Sequence, residues 1–252
     1  MPDTHSSYFS TFRPAPDAPV RLICLPHAGG SASFYFPMAR ALAPGVEVMA
    51  VQYPGRQERR GEPFVPDVAT LADQIAEALR PLTDRPYALF GHSMGSIVGF
   101  EVARRLETMG NGPAELFASG GRAPCAERRG ELWHRTPDDE FVRRVKSMGG
   151  AGTELLDDPD MRDMLLPALR NDYRAIETYE YQPQAALSCP VTVFTGDADP
   201  RVSLGQARAW ASHTGGAFTF EVLPGGHFFL VDNQSAVLRT VVNHLNKIPA
   251  PC

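Results

Sequence analysis

The sequence predicts an α/β fold with a mostly parallel central sheet and helices on both of its faces. Six β-like segments recur along the chain, and most are apolar throughout, as is typical of strands covered on both faces. Helical patterns lie between several of them, and this alternation is typical of a parallel sheet. The length of 252 residues allows one large α/β domain or two small ones. The six segments are 20–25, 46–51, 87–90, 115–120, 191–196 and 218–223.

The clearest helical pattern begins just after Asp67. Apolar residues recur there at spacings of three and four and so share one helix face. They are Val68, Leu71, Ile75 and Leu79. We expect this helix to pack on the sheet.

The alternation of strands and helices stops between about residues 123 and 188, where two helical patterns follow each other. For the first, Thr136 is a plausible N-cap, Pro137 suits the first helical position, and Asp139 completes a capping-box pattern. Its apolar face carries Phe141, Val145 and Met148; the second helix carries Met161, Leu165, Leu169 and Ile176. This helical insertion either covers a site or only enlarges the core.

Composition excludes several classes of function. The 24 Lys and Arg against 29 Asp and Glu give a net charge of −5, which argues against nucleic acid as the main partner. There is no secretory signal pattern and no apolar stretch long enough for a membrane span. The four cysteines lie far apart without a C-x-x-C pair, so we expect no metal site and no disulfide framework. The chain is therefore expected to be cytoplasmic, with reduced thiols and no membrane partner.

The segment "GHSMG" at 91–95 places a serine between a β-like and a helical segment. Such a strand-to-helix turn strains the central residue and exposes its side chain at the carboxyl edge of the sheet, where only small neighbours fit. Gly91 and Gly95 supply that space. Ser93 is therefore the predicted nucleophile, and the Met94 amide at the start of the helix is a predicted oxyanion donor.

A serine nucleophile needs a base, and seven histidines are available. His227 follows the last β-like segment in "EVLPGGHFFL", on a glycine loop that brings it to the same sheet edge as Ser93. His92 adjoins Ser93, and we expect its side chain to project elsewhere, in packing or turn chemistry. The others lie in an irregular tail, another glycine loop, the insertion or surface-like helices: His5, His27, His134, His213 and His244.

The imidazole in turn needs an acid that fixes its tautomer. "FTGDADP" places Asp197 and Asp199 just after the segment at 191–196. One of them is expected to orient His227, and Asp199 is preferred on motif position, with Asp197 capping the turn. The order serine, acid, histidine is that of α/β-hydrolases.

A second oxyanion donor usually comes from the loop after an early strand. The loop "LPHAGGSASF" follows the segment at 20–25, and the backbone N–H of Ala28 is our candidate. An ordinary tight turn is the alternative interpretation of this glycine pair.

Five motifs together resemble the type II thioesterases that accompany polyketide synthases and nonribosomal peptide synthetases. They occur in the family's order and cover the chain from about Val20 to Lys247. The motifs are "LPHAGG" (25–30), "YPGRQER" (53–59), "FGHSMG" (90–95), "TGDADP" (195–200) and "PGGHFF" (224–229).

The resemblance implies a single α/β-hydrolase domain over residues 1–252, with the insertion at about 123–188 as a helical lid. It also implies that Ser93 attacks an acyl thioester on the phosphopantetheine arm of a carrier protein, with His227, Asp199 and the amides of Ala28 and Met94 in the roles given above. The family role is removal of stalled or wrong acyl groups. No cofactor is implied, because the substrate itself carries the phosphopantetheine.

Further expectations concern docking and the acyl channel. Carrier domains are typically acidic, so basic groups could help them dock. The candidates are Arg56, Arg59, Arg60, Arg128 and Arg129. Ordinary solvated arginines are the alternative. Three methionines of the insertion could line an adaptable acyl channel or pack in the core. They are Met148, Met161 and Met164.

Other functions fit the same residues. A medium-chain fatty acyl thioesterase or a small-molecule carboxylesterase would use the same triad. An acyltransferase would exclude water and pass the acyl group to an alcohol or amine. A non-catalytic binder would keep only the fold, since fold alone does not fix function.

Overall fold

The computed structural model describes residues 8–127, 132–150 and 152–249. Its centre is a seven-stranded sheet in the order β1-β3-β2-β4-β5-β6-β7. All neighbours pair in parallel except β1 and β3, which are antiparallel. The strands are β1 (Phe9–Ser10), β2 (Arg21–Leu25), β3 (Glu47–Val51), β4 (Tyr87–His92), β5 (Glu115–Ser119), β6 (Val191–Gly196) and β7 (Phe218–Leu223).

The apolar runs form strands that are buried on both faces, as expected. In β2, Ile23 and Leu25 contribute to the core on one face of the sheet, while Leu22 and Cys24 contribute to the core on the other. Adjacent residues of a strand point to opposite faces, so a strand covered on both sides must be apolar throughout. This arrangement confirms the predicted fold class.

Helices cover both faces of the sheet and connect its strands. The helix predicted after Asp67 is present, and the Asp67 carboxylate accepts a hydrogen bond from the amide of Thr70 at its N-terminus. The helices are α1 (Phe36–Leu42), α2 (Val68–Leu79), α3 (Met94–Thr108), α4 (Asp138–Lys146), α5 (Pro159–Glu177), α6 (Leu204–Arg208), α7 (Phe229–Asp232) and α8 (Gln234–Leu245).

The predicted helical insertion contains α4 and α5, with a short 3-10 helix at Thr153–Asp157 between them. These elements share a small apolar core of their own, which consists of Phe141, Val142, Val145, Leu156, Leu166 and Leu169. The predicted N-cap at Thr136 is wrong. The Thr136 hydroxyl donates to the carbonyl of Trp133, and the helix begins at Asp138 with Pro137 in the capping position.

Two further features complete the fold. Strand β1 lies in a segment that the sequence did not predict as a strand, because two residues are too few to produce a period. Within the described ranges, no helix combines the length and the hydropathy that a bilayer crossing requires.

Candidate active site

The turn between β4 and α3 holds Ser93 in a conformation that residues other than glycine rarely adopt. Its φ is +55° and its ψ is −117°, which is the strained geometry of a nucleophile elbow. The Ser93 amide donates to the carbonyl of Ser119 at 2.8 Å, so β5 holds the turn in place. The serine side chain is thereby presented at the carboxyl edge of the sheet.

Gly91 and Gly95 provide the space that this turn requires. A Cβ on Gly91 would lie 2.0 Å from the carbonyl oxygen of Gly95, and a Cβ on Gly95 would lie 2.0 Å from that of Leu25. Backbone atoms cannot move aside as the end of a flexible side chain can. The prediction that positions 91 and 95 must be occupied by small residues is therefore confirmed.

His227 follows β7 and joins Ser93 to Asp199. Its Nε2 lies 2.8 Å from the Ser93 Oγ, and its Nδ1 lies 2.8 Å from the Asp199 Oδ2. The Asp199 side chain is fully buried, and its Oδ1 accepts hydrogen bonds from the amides of Arg201 and Val202. These bonds fix the carboxylate, which in turn orients the imidazole. The serine hydroxyl thus has an oriented base within hydrogen-bond reach.

Asp197, the other acid considered, has a different position. Its side chain accepts a hydrogen bond from the Gly225 amide at 2.9 Å, in the loop that leads to His227. It thus stabilises the turn, as predicted for the acid that does not contact the imidazole.

Three further histidines, His134, His213 and His244, have partners other than Ser93. His134 and His244 each contact a buried glutamate, at 2.6 and 2.8 Å. His213 is buried against Phe100 and Trp210, so its expected surface position is wrong: it ends a short helix and turns inward. His5 lies outside the described residues.

His92 is buried beside His227, and the half-buried ring of His27 lies against that of His92. The ring centroids of His92 and His227 are 5.3 Å apart, but the His92 Nδ1 lies 3.0 Å from the hydroxyl of Ser119. His92 therefore packs beneath the site, as predicted. Burial, and then the neighbouring histidines, lower the pKa of His92 well below its usual value. Burial, and then the charges of His227 and Arg56, lower the pKa of His27 to about 3.

The low pKa of His27 predicts a pH-dependent stability. A histidine whose pKa is depressed in the folded state contributes stability above its unfolded pKa of about 6.5, and this stability is lost as the pH falls toward the folded pKa. The unfolded chain takes up a proton on His27 across that range, whereas the folded chain does not. Between about pH 6.5 and about pH 5 we expect a loss of about 2 kcal/mol from this residue.

Replacing His27 with phenylalanine should reduce this dependence by the contribution of His27, while His92, whose pKa is also lowered, keeps its own contribution. Phenylalanine keeps a ring against Phe34 and Phe228, whose ring centroids lie 4.7 and 4.9 Å from that of His27. Urea unfolding of both proteins at each pH measures the slope of the unfolding free energy. Equal slopes in the two proteins would show that His27 does not titrate as expected.

The loop of residues 26–31, here called the oxyanion loop, follows β2 and lies beside Ser93. Ala28 and Met94 both line the cavity that contains the serine and His227. The Met94 amide belongs to the first residue of α3 and has no intrahelical acceptor. The Ala28 amide donates to no acceptor in the part of the chain that the structure describes. Both amides are thus available to a forming oxyanion, and these two roles stay predictions.

A cavity of about 170 Å³ extends from Ser93 beneath the helical insertion. The insertion supplies most of its apolar wall: Val145, Met148, Leu156, Leu165, Leu169, Tyr173 and Ile176. The insertion therefore covers a cavity instead of only enlarging the core.

Of the three methionines considered for this wall, Met148 lines the cavity. Met161 and Met164 are not among the lining residues of the described chain. Met164 is 62% exposed, because it lies one position beside the stripe that Leu165, Leu169 and Ile176 form on α5.

Arg56 and Arg59, which the sequence suggested as docking groups, instead form ion pairs within the chain. Both arms of Arg56 contact the carboxylate of Asp172 on α5, at 2.6 and 2.8 Å. Burial alone would lower the pKa of Arg56, but Asp172 raises it above the usual value. Arg59 is buried and contacts Glu62. Of the other docking candidates, Arg60 is exposed, and Arg128 and Arg129 lie outside the described residues.

Sequence reasoning missed Asp172 as a residue near the site. A signal was present, because position 172 falls on the apolar face that Leu169 and Ile176 define. A carboxylate on an apolar helix face requires a buried partner, and Arg56 is that partner.

A protein-family model described as a thioesterase domain matches residues 20–245 of the chain. A probable cadicidin biosynthesis thioesterase from Streptomyces griseus is 48% identical over 244 residues, which are 97% of this chain and 67% of that protein. The thioesterase PikA5 from Streptomyces venezuelae is 43% identical over 236 residues, which are 93% of this chain and 84% of that one.

Solved structures show the same similarity. The type II thioesterase BorB from the borrelidin biosynthetic cluster superposes with a TM-score of 0.89 at 46% identity, covering 95% of this chain and 98% of BorB. YbtT, a type II thioesterase from the yersiniabactin pathway, superposes with a TM-score of 0.85 at 29% identity, covering 94% of this chain and 97% of YbtT. These similarities extend over both the sheet and the insertion.

Proposed function

Because the chain belongs to the thioesterase family and is a thioester hydrolase of the α/β-hydrolase fold, we propose that it removes acyl groups from carrier proteins. Its substrates are acyl thioesters on the phosphopantetheine arms of a polyketide or nonribosomal peptide synthase. We propose that it removes aberrant or stalled acyl groups, and that their removal frees the synthase. Two names support this proposal: one relative is described as a biosynthesis thioesterase, and YbtT is described as a type II thioesterase of a nonribosomal peptide and polyketide pathway.

The observation that carries the proposal is the hydrogen-bonded series from Asp199 through His227 to Ser93 at a cavity with an apolar wall. The series provides a nucleophile, a base and an orienting acid for acyl transfer. The apolar wall suits an acyl chain. The triad alone fits thioesters and oxygen esters equally, and family membership favours the thioester.

In the first half of the proposed reaction, the Ser93 oxygen attacks the thioester carbonyl carbon. His227 takes the serine proton on Nε2, while the bond from its Nδ1 to Asp199 stabilises the charged ring. The carbonyl oxygen becomes an oxyanion between the amides of Ala28 and Met94. The intermediate collapses by breaking the carbon–sulfur bond, and His227 returns the proton to the departing thiolate of phosphopantetheine.

In the second half, water hydrolyses the acyl-serine ester. His227 removes a proton from the water as it attacks the ester carbonyl, and the same two amides bind the second oxyanion. Ser93 regains its proton when the carboxylic acid leaves. These steps require the protein side chains, the backbone amides and water, and no cofactor of the enzyme's own.

The proposal also places the protein with its partner synthase in the cytoplasm. The three cysteines in the described part of the chain, Cys24, Cys125 and Cys189, are all free thiols. A reducing compartment keeps thiols in this form.

Three butyryl substrates test the proposal: a butyryl carrier protein, butyryl-pantetheine and the matched oxygen ester. We expect kcat/KM to be highest for the loaded carrier, since the carrier adds binding contacts. It should be at least about tenfold lower for the oxygen ester, because an oxygen ester is less electrophilic than a thioester. Faster hydrolysis of the oxygen ester would indicate a carboxylesterase. Equal rates on the carrier and on butyryl-pantetheine would indicate a thioesterase that does not recognise carriers.

A further inference from the structure

The ion pair between Arg56 and Asp172 connects the loop after β3 with helix α5 of the insertion. It also contacts the oxyanion loop directly. The Gly29 amide donates to the Asp172 Oδ2 at 2.8 Å, and the Arg56 Nη1 donates to the Gly30 carbonyl at 3.1 Å. One side chain of the pair thus binds an N–H group of the oxyanion loop, and the other binds a C=O group.

We propose that Arg56 and Asp172 are positioning residues for thioester hydrolysis, which together hold the oxyanion loop so that the Ala28 amide faces the substrate carbonyl. This inference rests on the proposed function. It assigns the pair a role in the transition state, in addition to its role in attaching α5.

The geometry of the loop explains how this control operates. The Gly29 N–H belongs to the peptide unit that follows Ala28, so its bond to Asp172 fixes rotation about the Ala28 Cα–C bond. Gly29 has a φ of +76°, and a Cβ at this position would lie 2.4 Å from the Leu169 Cδ1 of α5. The helix therefore packs directly on the loop at this point. Together with the two hydrogen bonds to Asp172 and Arg56, this contact restrains the loop on both sides of the Ala28–Gly29 peptide.

The charges of the pair make its two members unequal. Asp172 is only 3% exposed, and it accepts a hydrogen bond from the amide of Gly29, the residue that follows the proposed oxyanion donor Ala28. A bare carboxylate at that place would oppose the negative charge that develops on the substrate oxygen. Arg56 neutralises it through two hydrogen bonds. Loss of Arg56 should therefore reduce the rate more than loss of the Asp172 charge.

A purely structural role makes a different prediction. If the pair only held α5 over the cavity, either substitution would weaken substrate binding or folding to a similar extent. The turnover number would then not depend on which member was removed. A positioning role predicts that kcat depends on the sign of the buried charge that remains, whereas a structural role predicts that it does not.

The test compares Arg56→Gln, Asp172→Asn and the double variant on butyryl-pantetheine, with kcat and KM measured separately. We expect kcat to fall about 100-fold in Arg56→Gln and about tenfold in Asp172→Asn, with KM within threefold of the parent value. In the double variant, kcat should recover toward the Asp172→Asn value, because no charge remains uncompensated. A short trifluoromethyl ketone, which forms an anionic adduct with Ser93, should lose affinity in the same order.

The matched control is Arg21→Gln at the opposite, amino edge of the sheet. Arg21 pairs with Glu47 at 2.9 Å, with side chains 9% and 11% exposed, compared with 10% and 5% for Arg56 and Asp172. This variant should lose stability and keep its kcat. If Arg56→Gln does not fold, Arg56→Lys keeps the charge but loses the two-armed contact, and its kcat should fall about tenfold.

The inference is overturned if the Arg56 and Asp172 variants keep kcat within threefold of the parent value, or if only KM changes. Inactivity of the parent protein on butyryl-pantetheine and on loaded carriers is a different result, because it contradicts the proposed function itself.

Discussion

Replacement of Ser93 with alanine is expected to lower kcat for thioester hydrolysis by about 10⁵-fold or more. The reason is geometric, since the Ser93 Oγ is the group that the His227 Nε2 contacts, at 2.8 Å, and that the strained turn presents to the cavity. Without it, only water activated by His227 remains as a nucleophile. The measurement is steady-state release of free thiol from butyryl-pantetheine.

A second serine serves as the control for this substitution. Ser147 lies on the surface at the end of α4, where its hydroxyl donates to the Arg144 carbonyl. Ser147→Ala should keep full activity. A Ser93→Ala variant that retained more than about one percent of the parent kcat would place the nucleophile elsewhere.

The second large effect is expected for Asp199→Asn, which should lower kcat by about 10⁴-fold. The neutral amide does not stabilise the protonated ring as the carboxylate does, and its NH2 group, if it faces Nδ1, holds the imidazole in the wrong tautomer. The amides of Arg201 and Val202 donate to the Oδ1 of residue 199 and so hold a side-chain oxygen there, which leaves the NH2 group of asparagine toward His227. The same thiol-release assay measures the loss.

Asp197→Asn is the matched control for this change, because it alters the same residue type two positions away in the same loop. Asp197 contacts the Gly225 amide and not the imidazole, so its amide variant should retain kcat within about tenfold. If the Asp197 variant were the inactive one, the two acids would have to exchange their proposed roles.

The sheet was predictable from the sequence because burial on both faces requires apolar runs, and such runs are visible without a structure. Strands β2 to β7 agree with the predicted segments to within a residue or two at each end. Strand β1 was not predictable, since it depends on pairing with β3 and not on a pattern of its own. The start of α4 was misplaced for a related reason. Thr136 has the residue type of an N-cap, but its hydroxyl finds a nearer acceptor in the carbonyl of Trp133.

The motif residues of the site were predictable because local backbone chemistry places each of them at one sheet edge. Ser93 follows β4, Asp199 follows β6 and His227 follows β7, and the carboxyl ends of parallel strands meet at that edge. The choice between Asp197 and Asp199 depended on motif position. The structure brings Asp199 to the imidazole and Asp197 to the turn.

The contribution of the insertion could not be predicted, because it depends on contacts between residues far apart in sequence. Arg56 and Asp172 are separated by 116 positions, and the position of Asp172 on an apolar helix face does not indicate which residue pairs with it. Arg56, which the sequence suggested as a docking group, is through this pairing a largely buried group beside the oxyanion loop. Helical periodicity likewise predicted two helices in the insertion but not the cavity between them and Ser93.

Intact-mass analysis of acylated carrier proteins tests the central claim most directly. Carriers loaded with several acyl groups are incubated with the parent protein and with Ser93→Ala, and the mass of each carrier is followed over time. We predict loss of the acyl mass with retention of the phosphopantetheine arm, and no loss in the variant. Carriers that keep their acyl groups while soluble oxygen esters are hydrolysed rapidly would contradict the account.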